Sequence, residues 1–182
     1  MKLVCNVLAC LLFLVVSQVA PAQAKLKINQ ALDFWITNTE KEVVPAAAAM
    51  PEERYSFVPT AGEFTGARSF AQQIKHLAAN NYRMAAYMTG RMPTGDQESE
   101  IGPDSVQSKT QIIEYLKGSF AVLHRAVAAI TERNLVESLD VPIRQKTRLQ
   151  LAVDVVAHTY DHYGQMVEYL RMNGIVPPAS RK

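Results

Sequence analysis

Cysteine is almost missing from this 182-residue chain; Cys5 and Cys10 are the two present, and both lie in the first apolar stretch. From residue 25 onward there is no thiol, which excludes disulfides and a cysteine nucleophile there. That portion must stand on a hydrophobic core, and it is long enough for one domain with a sizeable one. Blocks of like charge are missing too. Lys and Arg number 19 against 17 Asp and Glu, for a formal net charge of +2. Nothing in that balance suggests a nucleic-acid or membrane-surface partner. No segment alternates convincingly with period two, which argues against a sheet. There is also no internal repeat, no low-complexity tract, no Ser-His-Asp arrangement and no Gly-rich phosphate loop.

What is present begins with a leader. Lys2 precedes an apolar run from Leu3 to Val16, and Ala22-Gln23-Ala24 follows as a small-x-small cleavage signal. This is the layout of a secretory signal peptide, residues 1–24, with the folded domain at 25–182. The competing reading is an uncleaved anchor, because the run is only slightly short of spanning a bilayer. Cleavage after Ala24 leaves no stable membrane anchor and predicts a periplasmic or secreted protein. Cys10 sits too early in the run to favour a lipoprotein.

The remainder reads as four amphipathic helices. Ile28, Leu32, Trp35, Thr39 and Val43 recur at three- and four-residue steps, placing the first helix at about 27–49, with Pro45 expected to bend or break it. Phe70, Ile74, Leu77, Met84 and Met88 mark a second helix over about 67–89. A long linker rich in Gly, Pro, Asp and Ser occupies 90–105. Ile112, Leu116, Ser119, Leu123, Val127 and Ile130 mark a third over about 108–131. The fourth spans about 149–173. Four such helices with one long crossover predict an all-α, up-and-down-like bundle, although periodicity alone does not fix the topology.

The fourth helix carries His158 and His162, four residues apart and so on one face, about one turn from each other. Leu151, Val155, Gln165, Met166 and Tyr169 share that face at ~100° per residue. Two imidazoles directed into a core can hold one metal ion; a single one would more often be a core residue with a satisfied hydrogen bond. A third ligand is not settled by periodicity. His76 lies ~120° from the centre of its helix's stripe and His124 lies ~100° from Leu123, so the wheel points neither inward. Asn81, within the second helix's stripe, is either bonded to a neighbouring helix or an outer contact of a metal site. Asp161 is a base or outer-shell carboxylate, or else a solvated residue.

The segment HTYDHYGQMVEYLRMNGIVPPAS resembles the C-terminal signature of the DinB-like superfamily. That signature has two histidines four apart, then glycine and glutamine, an arginine, and an Asn-Gly-Ile-x-Pro-Pro tail. Here these are His158, His162, Gly164, Gln165, Arg171, Asn173, Gly174, Ile175, Pro177 and Pro178. The stretch SFAQQIKHLAANNY is similar to the family's second-helix segment with its single histidine, His76. The resemblance implies a four-helix bundle of the DinB/YfiT type and the ligand set His76, His158 and His162; Gln165, one turn beyond His162 on the same face, joins Asn81 and Asp161 as a candidate outer contact. His124 has no counterpart and is expected on a helix surface or bundle flank. Many members carry Arg where this chain has Tyr163, so no role for a positive charge carries over. The implied cofactor is a divalent ion, Zn first, with Ni, Fe, Cu or Mn as alternatives. The implied activity is metal-dependent hydrolysis or transfer on a small molecule. The alternative is a non-catalytic bundle whose ion is structural. Thiol-cofactor substrates known in some branches fit poorly with export. A homodimer through helix faces also follows from the resemblance.

Overall fold

The computed structural model describes residues 25–63 and 65–181, so the expected signal peptide lies outside the described residues. Four helices carry the fold: α1 (Ile28–Ala49), α2 (Phe70–Met88), α3 (Lys109–Ala128) and α4 (Arg148–Met172). Single 3-10 turns occur at Glu52–Arg54, Gly95–Gln97 and Pro178–Ser180. Among the described residues there is no strand, and the protein is all-α, as the three-to-four residue period predicts. No described helix is long and apolar enough to cross a membrane.

Helix starts are set by caps. The Ser69 hydroxyl accepts from the Gln72 N–H, while Gln72 Oε1 accepts from the Ser69 N–H. This reciprocal box satisfies two N-terminal donors and starts α2 at Phe70, later than its apolar period suggests. Ser108 and Gln111 repeat the box on α3, and Thr147 caps α4 through the Gln150 N–H. Pro45 does not end α1, which runs on to Ala49. Its last turn is held from outside. Ala46 and Ala47 are fully buried, the Tyr55 hydroxyl donates to Ala47 O at 2.7 Å, and Lys109 Nζ donates to Ala48 O at 2.8 Å. Those donors satisfy carbonyls that a helix end leaves open, and they offset the bond that proline cannot make.

Around the bundle, α1 packs on α3 and α4, and α2 packs on the same two. Consecutive helices α1 and α2 therefore sit across a diagonal, as do α3 and α4. Asn29, starting α1, donates to Ala128 O at the end of α3, so these two run antiparallel. Arg148, starting α4, donates both to Met88 O at the end of α2 and to Asn134 O just beyond α3. Thus α2 and α3 are parallel, and both oppose α4. The order is up-down-down-up, which corrects the up-and-down expectation. The linker supplies the physical reason. A 19-residue helix is ~28 Å long, and the extended chain between Thr89 and Ser108 is long enough to retrace it. Phe70, Phe120, Ile36, Leu116, Leu123 and Leu151 are fully buried along the axis. Each contributes roughly 1.5–3 kcal/mol of transfer free energy.

Candidate metal centre

His76 comes from the middle of α2, and His158 and His162 from successive turns of α4. His76 and His162 are buried, and His158 is half-buried. His76 looked off-stripe on a wheel centred on one apolar line. In the bundle α2 is covered on two sides, by α3 and by α4, and His76 occupies the α4 side. His76 Nε2 lies 3.2 Å from His158 Nε2, and His162 Nε2 lies 3.1 Å from the same atom. All three nitrogens fall within 4.8 Å of one another.

The far nitrogens are held as well. His76 Nδ1–H donates to Glu100 O at 2.6 Å, and His162 Nδ1–H donates to Gln73 Oε1 at 2.6 Å. These bonds fix the tautomer that leaves an Nε2 lone pair free, which is what a metal ligand needs. His158 differs. Its Nδ1 faces Asn80 Nδ2 at 3.3 Å, and Arg83 donates to Asn80 Oδ1 at 3.3 Å, which fixes the amide in that sense. His158 Nδ1 therefore accepts, and its proton sits on Nε2 between the other two rings. The donor set fits a divalent cation: three imidazoles converge, two already in the ligating tautomer, and the third would ligate once its proton moved from Nε2 to Nδ1 and the Asn80 amide turned to accept it.

Electrostatics agree. Burial first, then the neighbouring His76, pushes His158 down to about 4. Burial first, then the other two imidazoles, pushes His162 down to about 3. His76 is lowered mainly by burial. All three are neutral at pH 7, the form in which imidazole ligates.

Gln165 and Asp161 join the cluster indirectly. Gln73 Nε2 donates to Gln165 Oε1 at 2.7 Å, and Gln165 Nε2 donates to Asp161 Oδ2 at 3.1 Å. A relay of amides thus runs from His162 to an exposed carboxylate. Asn81 does not join it. Its Nδ2 donates to Ser119 Oγ on α3 at 3.1 Å, and its buried Oδ1 has no partner. Of the two readings of Asn81, the bond to a neighbouring helix is the one found, and not the outer contact; the amide at the histidines is the preceding residue, Asn80. Sequence reasoning also missed Gln73 and the Glu100 carbonyl. Gln73 and Asn80 stand three before and four after His76, a spacing that places them on its face. The carbonyl has no side-chain signal.

His124 lies on the bundle flank, as expected, between Asp33 Oδ1 at 2.5 Å and Glu40 Oε2 at 3.0 Å, both on α1. Tyr163 packs against the core. Beside His162 an open cleft of about 670 Å³ is lined by Arg68, Gln73, Asp161, Gly164, Gln165 and Tyr169 among others.

The model of the DinB superfamily matches residues 36–166, a span that holds all three histidines. Among solved structures, the crystal structure of a DinB-like protein from Bacillus cereus ATCC 10987 aligns with a TM-score of 0.64 at 17% identity. That alignment covers 84% of this chain and 96% of that one. No curated protein matches. The fold is common to both chains, the family's model covers most of this sequence, and the chain belongs to the DinB superfamily.

Proposed function

We propose that this protein is a metalloprotein that holds one divalent ion on His76, His158 and His162 and acts on a small molecule by hydrolysis or group transfer. The observation that carries the reading is the convergence of three Nε2 atoms whose rings are neutral and, at His76 and His162, locked in the ligating tautomer. Zn is the first choice of ion, with Ni, Fe, Cu and Mn open to the same donors. When bound, such an ion polarises a substrate oxygen or acidifies a coordinated water. The chain's own residues do the rest. Glu100 O and Gln73 orient two of the rings, Asn80 stands at Nδ1 of the third and would turn its amide to accept from it, and Gln165 links Gln73 to Asp161 at the solvent edge. The cleft lined by Gln73, Asp161, Gly164 and Gln165, the neighbours of His162, supports a catalytic role over a purely structural ion, because it leaves room for a small molecule next to the cluster.

The test is metal analysis of the purified protein beside His158→Ala, His162→Ala and His124→Ala. Equimolar zinc in the parent and in His124→Ala, with loss in the other two, supports the reading. Zinc retained by the double variant His158→Ala/His162→Ala refutes it. A screen of ester, amide and thiol substrates on the loaded protein then separates turnover from a structural ion. Export belongs to the same reading, supported by Lys2, the apolar run and Ala22-Gln23-Ala24. N-terminal sequencing of exported material should find Lys25 first. A homodimer would cover the exposed Phe34, Trp35 and Val153. Sedimentation showing only monomer at micromolar concentration would remove that part.

A further inference from the structure

We propose that Asp161, at the solvent edge, decides which nitrogen of His162 carries the proton and so keeps that ring ready for an ion; this is a positioning role in the metal site and rests on that reading. The two rings in the ligating tautomer are held by partners of different kinds. His76 meets Glu100 O at 2.6 Å. A carbonyl only accepts, so the proton there has one place to sit. His162 meets Gln73, whose amide has an acceptor at one end and a donor at the other. Turned over, Gln73 would donate to His162 Nδ1 and send the proton to Nε2, leaving no lone pair there for an ion.

Gln73 does not settle its own sense. It is 3% exposed, so both ends of its amide need partners within the protein. Its Nε2 donates to Gln165 Oε1 at 2.7 Å, and Gln165 is a second amide that can present either end. The row is decided where it meets a group with a single role. Asp161 is that group, because a carboxylate only accepts. It stands four residues before Gln165 on α4, on the same face, and its Oδ2 takes the Gln165 Nε2–H at 3.1 Å. That leaves Gln165 Oε1 for Gln73 Nε2, Gln73 Oε1 for His162 Nδ1–H, and His162 Nε2 with its lone pair. The reversed row would set Gln165 Oε1 against the carboxylate, oxygen to oxygen.

The experiment reads ring-nitrogen chemical shifts of the metal-free protein by NMR at neutral pH, and zinc affinity by competition titration. Asp161→Lys puts a group there that only donates. The row should turn over: His162 moves from Nδ1–H to Nε2–H, His76 stays as it is on its carbonyl, and zinc affinity falls about tenfold or more. Asp161→Glu keeps an acceptor, so it should keep the parent tautomer and a zinc affinity within about threefold of the parent's. Position 161 is exposed and lysine suits a helix, so the fold tolerates the change.

Lysine also brings positive charge toward the ion, and Gln165→Met separates the two effects, since methionine cannot pass the sense along. In that background Asp161→Lys should alter zinc affinity by only about threefold or less, the effect of a solvent-screened charge. A loss of equal size in both backgrounds overturns the proposal. So does a His162 tautomer that Asp161→Lys leaves in place, or a His76 tautomer that switches with it. In each of these cases equimolar zinc in the parent leaves the metal centre standing. A parent that binds no zinc, with His162 switched by Asp161→Lys and kept by Asp161→Glu, supports the role of Asp161 and overturns the metal reading instead.

Discussion

The contact between α1 and α3 through His124 makes a pH-dependent prediction whose size follows from the geometry. Both ring nitrogens face carboxylate oxygens, Asp33 at 2.5 Å and Glu40 at 3.0 Å, so the ring makes both bonds as donor only when protonated. Burial opposes that charge, but the two carboxylates outweigh it and hold the His124 pKa above its usual value. A fully buried charge-assisted bond contributes about 1.5–3 kcal/mol, and an exposed ion pair about 0–1. With side-chain exposures of 28% for His124, 45% for Asp33 and 32% for Glu40, each bond belongs nearer the lower range. Together they contribute ~1–2 kcal/mol. A raised folded-state pKa means the contribution is complete below the unfolded value of about 6.5 and disappears as pH rises through the folded value. His124→Gln should therefore lower the unfolding temperature by about 2–8 °C at pH 5.5 and by much less at pH 9. The three clustered histidines act oppositely: their lowered pKa values withdraw stability as pH falls below about 6.5. Subtracting the variant's thermal unfolding profile from the parent's, both freed of metal by chelation, cancels that contribution. A difference that is flat from pH 5.5 to 9, or that grows toward high pH, refutes the reasoning.

Three further outcomes are expected. Ser119→Ala strands the buried Asn81 amide and should cost about 1–3 kcal/mol in urea denaturation, whereas Asn81→Leu/Ser119→Ala, which removes both polar partners, should recover most of it. In Gly118→Ala the new Cβ would lie 2.5 Å from the Tyr82 hydroxyl, whose ring packs on Tyr115 at a centroid distance of 5.1 Å, so it should destabilise by about 1–3 kcal/mol. In a Tyr82→Phe background the same change should be neutral or stabilising, and a penalty unchanged by Tyr82→Phe would contradict the clash. Asn80→Asp turns the group facing His158 Nδ1 into an acceptor and should raise zinc affinity about 10-fold or more in a competition titration. An affinity at or below the parent's would count against the assigned tautomer.

The sequence disclosed these features unevenly. The four helices were legible because each has an apolar stripe with a helical period, and the i, i+4 pair on α4 was legible because spacing alone puts both rings on one face. Pro45 misled because local propensity cannot anticipate Tyr55 and Lys109, which hold the last turn of α1 from elsewhere in the chain. His76 could not be chosen over His124 by periodicity, since a helix covered on two sides buries a wider arc than one stripe reveals. Asn80 and Asn81 illustrate the same limit. They are adjacent amides on one helix, and only the placement of α3 and α4 decides which meets Ser119 and which meets His158. The up-down-down-up order was beyond reach for a similar reason: the period reports a helix's face and carries nothing about its direction.

That order bears on how the chain reaches its native state. A bundle made of antiparallel neighbours can fold through helical hairpins, which close over short loops and reward the chain early. Here no two consecutive helices form such a hairpin: α1 faces α2 across a diagonal, α2 runs parallel to α3, and α3 faces α4 across the other diagonal. Docking of α2 on α4 joins residues as far apart as His76 and His158, 82 positions along the chain. Much of the loop-closure entropy is then lost before the core repays it, so refolding should lie on the slow side for an all-α protein of this size. For the same reason a fragment holding only α1 and α2, or only α3 and α4, should remain largely unstructured. In circular dichroism each should show far less helix than its share of the intact protein.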